Sequence, residues 1–197
     1  MIGGLPEALT VGGTEYPVRT DYRNVLQVFE AFQDLDLQPE EKWIVAIYLL
    51  FEDFTCADDV LQAAQSGFDL EDAIKQIAWF ISAGQPERES LELPTYNWKQ
   101  DEQIIFSAVN KVAGRETREL EYLHWWTFLG YFNEVGEGTF SFIVGIRNKL
   151  NKGKKLEKHE KEFLSHNKEL VLMKKPLTKE EQEQEDAYKS LLDEVLG

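Results

Sequence analysis

The sequence predicts a mainly α protein, a helical domain that carries a small N-terminal β-hairpin. Apolar residues recur at three- and four-residue spacing along most of the chain, which is typical of amphipathic helices. A Gly-Gly pair near the start separates two short alternating segments, as in a hairpin. Of the 197 residues, 43% are hydrophobic and 12% are aromatic, which is enough for a sizeable buried core.

The hairpin is predicted for residues 8–11 and 14–18, on either side of Gly12 and Gly13. Glycine tolerates the positive φ angle that a two-residue turn requires. Pro17 has no N–H group to donate to a neighbouring strand, so we expect it at an edge of the sheet.

A series of helices is predicted after the hairpin. Thr20 or Asp21 caps the first, which carries Tyr22 at its start, and Pro39 starts the second because its fixed φ suits the first helical position. Gly84 ends the fourth helix. Further helices are predicted near residues 58–66, 69–83, 99–113, 118–134, 139–152 and 156–173.

The domain organisation follows from the proline-rich breaks. Residues 1–175 form one predicted helical domain, with a possible internal boundary at 84–98, a polar segment without helical periodicity. Residues 176–197 are predicted to form an acidic C-terminal helix or tail. Thr178 and Glu181 make a capping-box pattern at its start. Its main apolar residues are Tyr188, Leu191, Leu192 and Val195.

The net charge of −15 is unevenly distributed. Residues 1–98 contain five basic and eighteen acidic side chains, whereas residues 143–175 contain ten basic and four acidic ones. The last nineteen residues contain two basic and seven acidic side chains. An acidic first half repels nucleic acid and anionic membranes, whereas the basic segment could attract either of them or an acidic patch on a partner protein.

Membrane insertion and secretion are not expected. The longest unbroken apolar run is residues 43–51, much shorter than the roughly 20 residues that span a bilayer. The N-terminus lacks the basic and apolar regions of a signal peptide. The single cysteine, Cys56, cannot form an internal disulfide and fits a packed side chain in a reducing cytoplasm.

Catalytic, cofactor and metal sites are not expected either. Phosphate-binding loops, paired Cys-x-x-Cys and nucleophile-elbow patterns do not occur in the sequence. Glu121 and His124 would lie on one face of a helix, as in di-iron bundles, which need a second such pair. Neither His159 nor His166 has an acidic residue three positions before it. The sequence therefore favours a non-enzymatic protein that binds other proteins.

An aromatic segment is the first candidate for a protein-binding surface. Residues 124–129 (HWWTFL) include Trp125, Trp126 and Phe128 on a predicted helix. So much aromatic area indicates either core packing or a binding hot spot. Adjacent tryptophans point about 100° apart on a helix, so the segment needs a wide buried face or a face shared with a partner.

A basic segment and the helix after it are the second candidate. Its charged residues are Arg147, Lys149, Lys152, Lys154 and Lys155. They are not interleaved with the aromatic residues that single-stranded nucleic acids stack on, and a solvated helix end remains the alternative. The predicted helix at 156–173, which carries Phe163, fits an arm that docks on a partner or a plain surface helix.

Three segments resemble a family of proteins from tailed phages of Gram-positive bacteria, the gene-product-fifteen family. They are residues 16–23 (YPVRTDYR), 123–128 (LHWWTF) and 145–150 (GIRNKL), followed by a lysine-rich arm. The resemblance covers most of residues 9–170.

The resemblance implies a chaperone of siphophage tail assembly. Such a protein would bind the tape-measure protein, the tail-tube subunits or both in the bacterial host cytoplasm, and it would not remain in the mature virion. The resemblance brings no catalytic residues. A homo-oligomer is possible, and the alternative function is a phage or prophage nucleic-acid-binding or regulatory protein that uses residues 143–175.

Overall fold

The structure is a computed structural model that describes residues 3–86, 93–174, 178, 180 and 181. Within these residues the chain is mainly helical with one two-stranded antiparallel sheet, as the sequence predicts. The elements are β1 (Ala8–Val11), β2 (Thr14–Pro17), α1 (Tyr22–Gln33), α2 (Pro39–Leu50), α3 (Ala57–Gln65), α4 (Leu70–Ile81), α5 (Glu102–Ala113), a 3-10 turn (Thr117–Glu119), α6 (Trp125–Asn133), α7 (Thr139–Asn151), α8 (Lys158–His166) and α9 (Lys168–Val171).

The hairpin packs on the first helical group through its apolar side. Gly12 and Gly13 have φ angles of 58° and 83° at the turn, in the left-handed region that glycine adopts without strain. Leu9 and Val11 are buried. The N–H of Gly12 donates to the carboxylate of Asp72 on α4 at 2.8 Å, so the turn is anchored to a helix.

Helices α1 to α4 surround the first part of the core. Asp21 caps α1 by accepting from the backbone N–H of Arg23 at 2.9 Å, and Pro39 is the first residue of α2, as predicted. The guanidinium of Arg19 donates to the carbonyls at the end of α2, those of Tyr48 at 2.9 Å and Phe51 at 2.6 Å. A cation at this end also offsets the negative pole of the helix dipole.

Helices α5 and α6 complete the main core, and α7 to α9 enclose a smaller one. The smaller core consists of buried Ile143, Ile146 and Val171, with partly buried side chains around them. Helix α7 packs against α5 on one side and α9 on the other, and α8 contacts α9. The arm after residue 156 is therefore folded back on the body of the protein.

The helix predicted at 118–134 begins only at Trp125. The residues before α6 are extended and pair with the segment before α1: the N–H of Tyr22 donates to the carbonyl of Leu123 at 3.0 Å, and the N–H of Trp125 to that of Thr20 at 2.7 Å. Glu121 and His124 consequently do not lie on a helical face, so the geometry of a helical metal-binding pair does not exist here.

The helix predicted at 156–173 consists of two helices, α8 and α9. The chain leaves helical geometry at Asn167, which has φ −131° and ψ 40°. Its side-chain amide donates to the carbonyl of Phe163 at 2.9 Å. The backbone N–H of Asn167 donates to the same carbonyl at 3.0 Å, so Asn167 closes the last turn of α8 and stands just before α9.

The predicted capping box at the start of the C-terminal segment is present. The N–H of Thr178 donates to Glu181 Oε2 at 3.0 Å, and the N–H of Glu181 donates to Thr178 Oγ1 at 3.3 Å. The rest of the predicted C-terminal helix, and residues 87–92 of the suggested boundary at 84–98, lie outside the described residues.

Candidate protein-binding site

Two of the three aromatic residues predicted as contacts in the segment 124–129 belong to the core. Trp125 is 1% exposed and Phe128 is fully buried. The ring of Phe128 stacks on Tyr22 with their centroids 4.4 Å apart, and Trp125 packs against Phe29. Because their side chains face inward, Trp125 and Phe128 cannot form the expected binding surface in this fold.

The adjacent tryptophans share a structural role at the end of α4. The indole N–H groups of Trp125 and Trp126 donate to the carbonyls of Ile81 and Phe80, respectively, both at 2.8 Å. The last carbonyls of a helix have no partner within the helix and need donors from elsewhere. Two indoles that point in different directions can reach two successive carbonyls, which explains the pair.

His124 caps α6 rather than binding a metal. Its Nδ1 accepts the N–H of Trp126 at 3.0 Å, and its Nε2 lies 3.0 Å from the carbonyl oxygen of Pro6. Because a carbonyl oxygen can only accept, the ring is the neutral tautomer with its proton on Nε2. The ring is 3% exposed, so it joins the N-terminal segment to α6 inside the protein.

Arg147, the first residue of the predicted basic patch, is buried at 2% exposure. Its Nη1 and Nη2 donate to the two carboxylate oxygens of Asp101 at 2.6 and 2.9 Å. The same guanidinium also donates to the carbonyls of Val171, Leu170 and Thr95. Arg147 therefore holds α7, α9 and the start of α5 together and is not available to a partner.

The remaining lysines lie at the turn between α7 and α8. Lys149 binds Glu160 at 2.6 Å and Glu157 at 3.6 Å. The hydrogen bond to Glu160 raises the pKa of Lys149, and the same bond lowers the pKa of Glu160. Lys152, Lys154 and Lys155 are exposed. These three lysines form the accessible part of the predicted patch.

Phe163 faces the body of the protein. It is partly buried, and its ring meets the ring of Phe142 on α7 edge-on, with centroids 5.1 Å apart. The apolar side of the arm thus packs into the smaller core. A docking role for the arm would require this packing to be broken.

An open groove of about 490 Å³ lies between α5 and the connection from α6 to α7. Its apolar floor comes from Ile104, Ala108, Val112, Val135 and Phe140. The first three recur every fourth residue and therefore form one stripe along α5. Val112 is 37% exposed, so the floor is accessible from solvent.

The rim of the groove carries charges of both signs. It includes Lys111, Glu134 and Glu137, and the ammonium group of Lys111 lies 3.3 Å from the carbonyl of Glu137. Residues 134–138 connect α6 to α7 beside the groove. The sequence does not predict the groove, although the four-residue spacing of Ile104, Ala108 and Val112 is visible in it.

Among the described residues, no group of three histidine, cysteine, aspartate or glutamate side chains could hold a metal ion. The described helices also include none with the length and hydrophobicity to cross a bilayer.

The comparisons with known proteins give one match. A family model described as Bacteriophage Gp15 protein matches residues 1–173. No curated protein and no solved structure is significantly similar to the chain. The match includes all three segments in which the resemblance was noted and every described element from β1 to α9.

Proposed function

The chain belongs to the Bacteriophage Gp15 family, and from that premise we propose that it is a non-enzymatic chaperone of phage tail assembly. Its partner is the tape-measure protein, the tail-tube protein or both, in the host cytoplasm before the virion is complete. The partner segment binds in the groove between α5 and the α6–α7 connection.

The groove is the observation that carries this proposal. Its apolar stripe at Ile104, Ala108 and Val112 runs along a helix and is open to solvent. Amphipathic helices bind such grooves through apolar side chains spaced three and four residues apart. Rim charges of both signs at Lys111 and Glu134 favour a partner segment with mixed charges. These features support a helical segment of a long partner protein as the ligand.

The acidic first half supports a role as a holding protein. Arg23 pairs with Asp21, and Lys75 pairs with Glu71, so these cations neutralise acidic groups nearby. The surface of this half nevertheless keeps a large negative excess, because acidic residues far outnumber basic ones there. Such a surface keeps complexes with an apolar partner in solution.

A binding assay with a charged groove variant tests the proposal. We expect Val112→Glu to weaken the capture of tape-measure fragments at least about tenfold, because it places a charge on an apolar floor that the partner would cover. Leu61→Glu is the matched control, since Leu61 is 47% exposed on α3, away from the groove. Equal capture by both variants, each with an unchanged urea midpoint, would rule out the groove as the partner site.

Nucleic-acid binding is the second candidate function, favoured by the exposed lysines at 152, 154 and 155. Binding through several phosphates would give an affinity that falls steeply with salt concentration. Under the chaperone proposal we expect no shift of duplex DNA at low salt. A salt-dependent shift that is lost when the three lysines are changed to glutamate would favour the second candidate instead.

A further inference from the structure

We infer that α8 is a strap that opens as a separate unit, while α9 behind it stays fixed to the body of the protein. In the closed state α8 packs over the ring of Phe142 on α7. Opening would bring this ring and the ring of Phe163 into contact with water. Such an opening is a property of the chain alone and does not depend on the identity of a partner.

Helix α9 and the residue after it are held by two side chains of the body. The guanidinium of Arg147 donates to the carbonyls of Leu170 and Val171 at 2.9 and 2.6 Å. The side-chain amide of Gln100 donates to the carbonyl of Leu172 at 2.8 Å. The side chain of Val171 is also fully buried in the smaller core. Helix α9 can therefore leave only if these hydrogen bonds and the smaller core are both broken.

Helix α8 has a much weaker attachment. Within the described part of the chain, the bond from Lys149 to Glu160, at 2.6 Å, is the one side-chain hydrogen bond that joins α8 to another helix. The side chain of Lys149 is 33% exposed, so water weakens this bond. The ring contacts with Phe142 come from Phe163, edge-on with centroids 5.1 Å apart, and from His159, stacked with centroids 5.9 Å apart.

The composition of α8 explains why its attachment is weak. Only two of its nine residues are apolar, Phe163 and Leu164, and both are only partly buried. The stabilisation from packing is roughly proportional to the apolar area removed from water, so α8 gains little of it. Regions with few buried apolar contacts open at a low cost in free energy.

Both ends of α8 lie at a break in helical structure, where the chain can bend. Residues 152–157, between α7 and α8, are not helical, and Gly153 among them has φ 62°. At the other end, Asn167 has φ −131° and ψ 40°. A few residues between elements can absorb the backbone changes of a hinge. Opening of α8 can therefore be confined to these two breaks, which leaves α9 in place.

Hydrogen exchange of single amides, followed by NMR on the full-length wild-type chain, tests the inference. The N–H groups of Lys161 and Asn167 are hydrogen-bonded within α8, and those of Val171 and Leu172 within α9. We expect protection factors at least about tenfold lower in α8 than in α9. Urea below the unfolding midpoint should accelerate exchange in α9 strongly and in α8 only weakly, because opening of α8 exposes little surface.

Two lysine variants distinguish the strap from a general effect on stability. Lys149→Met removes the hydrogen bond to Glu160, and it should lower the protection factors in α8 by a further factor of about five, with α9 unchanged. Lys158→Met is the matched control, because Lys158 is 92% exposed and pairs, at 3.9 Å, with Glu162 on α8 itself. The control should change the protection factors in either helix less than about twofold.

Three results would overturn the inference. Equal protection of α8 and α9 in the wild type, with the same dependence on urea, would show that the two helices open only together. An equal fall in both helices after Lys149→Met would show that the arm moves as one body, and no fall in α8 would show that Lys149 does not hold the strap. Since no partner is present, each result is distinguishable from failure of the partner-binding assay.

Discussion

The ion pair between Arg147 and Asp101 joins separate parts of the chain. The carboxylate also accepts the N–H of Asn97 at 2.9 Å, and the guanidinium reaches carbonyls of α9 and of the segment before α5. Among the described residues, every buried side-chain nitrogen and oxygen has a hydrogen-bond partner. Because the pair is buried, removing one member leaves the other as an uncompensated charge.

The effect of Arg147→Met on stability follows from this geometry. We expect it to lower the free energy of unfolding by about 3–5 kcal/mol, because the buried carboxylate of Asp101 loses its guanidinium partner. The double variant Arg147→Met with Asp101→Leu should recover part of the loss, since no buried charge remains. Urea unfolding of the three proteins measures both effects, and a double variant less stable than the single one would contradict this account.

Glu116 stabilises the folded protein near neutral pH, and this contribution is lost in acid. The pKa of Glu116 is lowered from 4.5 to about 2, mainly by hydrogen bonds from the Arg118 side chain. A carboxyl with a depressed pKa in the folded state stabilises the protein above its unfolded pKa and loses that effect as the pH falls through its folded pKa. Glu116→Gln should therefore be less stable than the wild type near neutral pH.

The difference between Glu116→Gln and the wild type should disappear between about pH 4.5 and about pH 2. Urea midpoints at several pH values in this range measure the difference. A constant gap over the whole range would show that the ionised carboxylate is not its source.

The end of α4 is followed by a tight turn in the left-handed backbone conformation. After α4 the chain turns through two residues of left-handed conformation, Ala83 with φ 52° and Gly84 with φ 72°. The N–H of Gly84 closes the last turn on the carbonyl of Trp79 at 2.9 Å. Glycine favours this conformation, whereas alanine is strained in it by about 1–2 kcal/mol.

Substitutions at these two neighbouring positions should change the free energy of unfolding in opposite directions. We expect Ala83→Gly to raise the free energy of unfolding by up to about 1 kcal/mol, because relief of the strain is partly offset by the greater freedom of glycine in the unfolded chain. Gly84→Ala should lower it by more than about 1 kcal/mol, since the new Cβ would also lie 3.3 Å from the indole nitrogen of Trp79. Thermal unfolding of both variants measures these two changes in stability. If both variants were more stable than the wild type, or both less stable, the account would be wrong.

Local signals predicted most elements. The glycine pair, Asp21, Pro39 and Gly84 act within a few residues, and the hairpin, the first two helices and the end of α4 were predicted from them. The extended segment before α6 was not, because its partner is the segment before α1, about 100 residues earlier in the chain. A helical pattern alone cannot show that such a long-range pairing replaces the helix.

The candidate binding site was harder to predict for a related reason. Trp125, Phe128 and Arg147 have the residue types of interface hot spots, but the same types suit a core when partners are present. Their partners, Phe29, Tyr22 and Asp101, are separated from them by 46 to 106 residues. The groove is a gap between three elements, and no local spacing predicts a gap.

At the scale of the whole molecule, the segments that carry the family resemblance make contacts that hold the fold together. The segments 16–23 and 123–128 meet through the bridge between Asp21 and His124, and the segment 145–150 contributes Arg147 to the buried ion pair. The family match ends at residue 173, next to Leu172, whose carbonyl accepts a hydrogen bond from the side-chain amide of Gln100 at 2.8 Å. The matched residues therefore include the contact that holds the end of α9 to the start of α5.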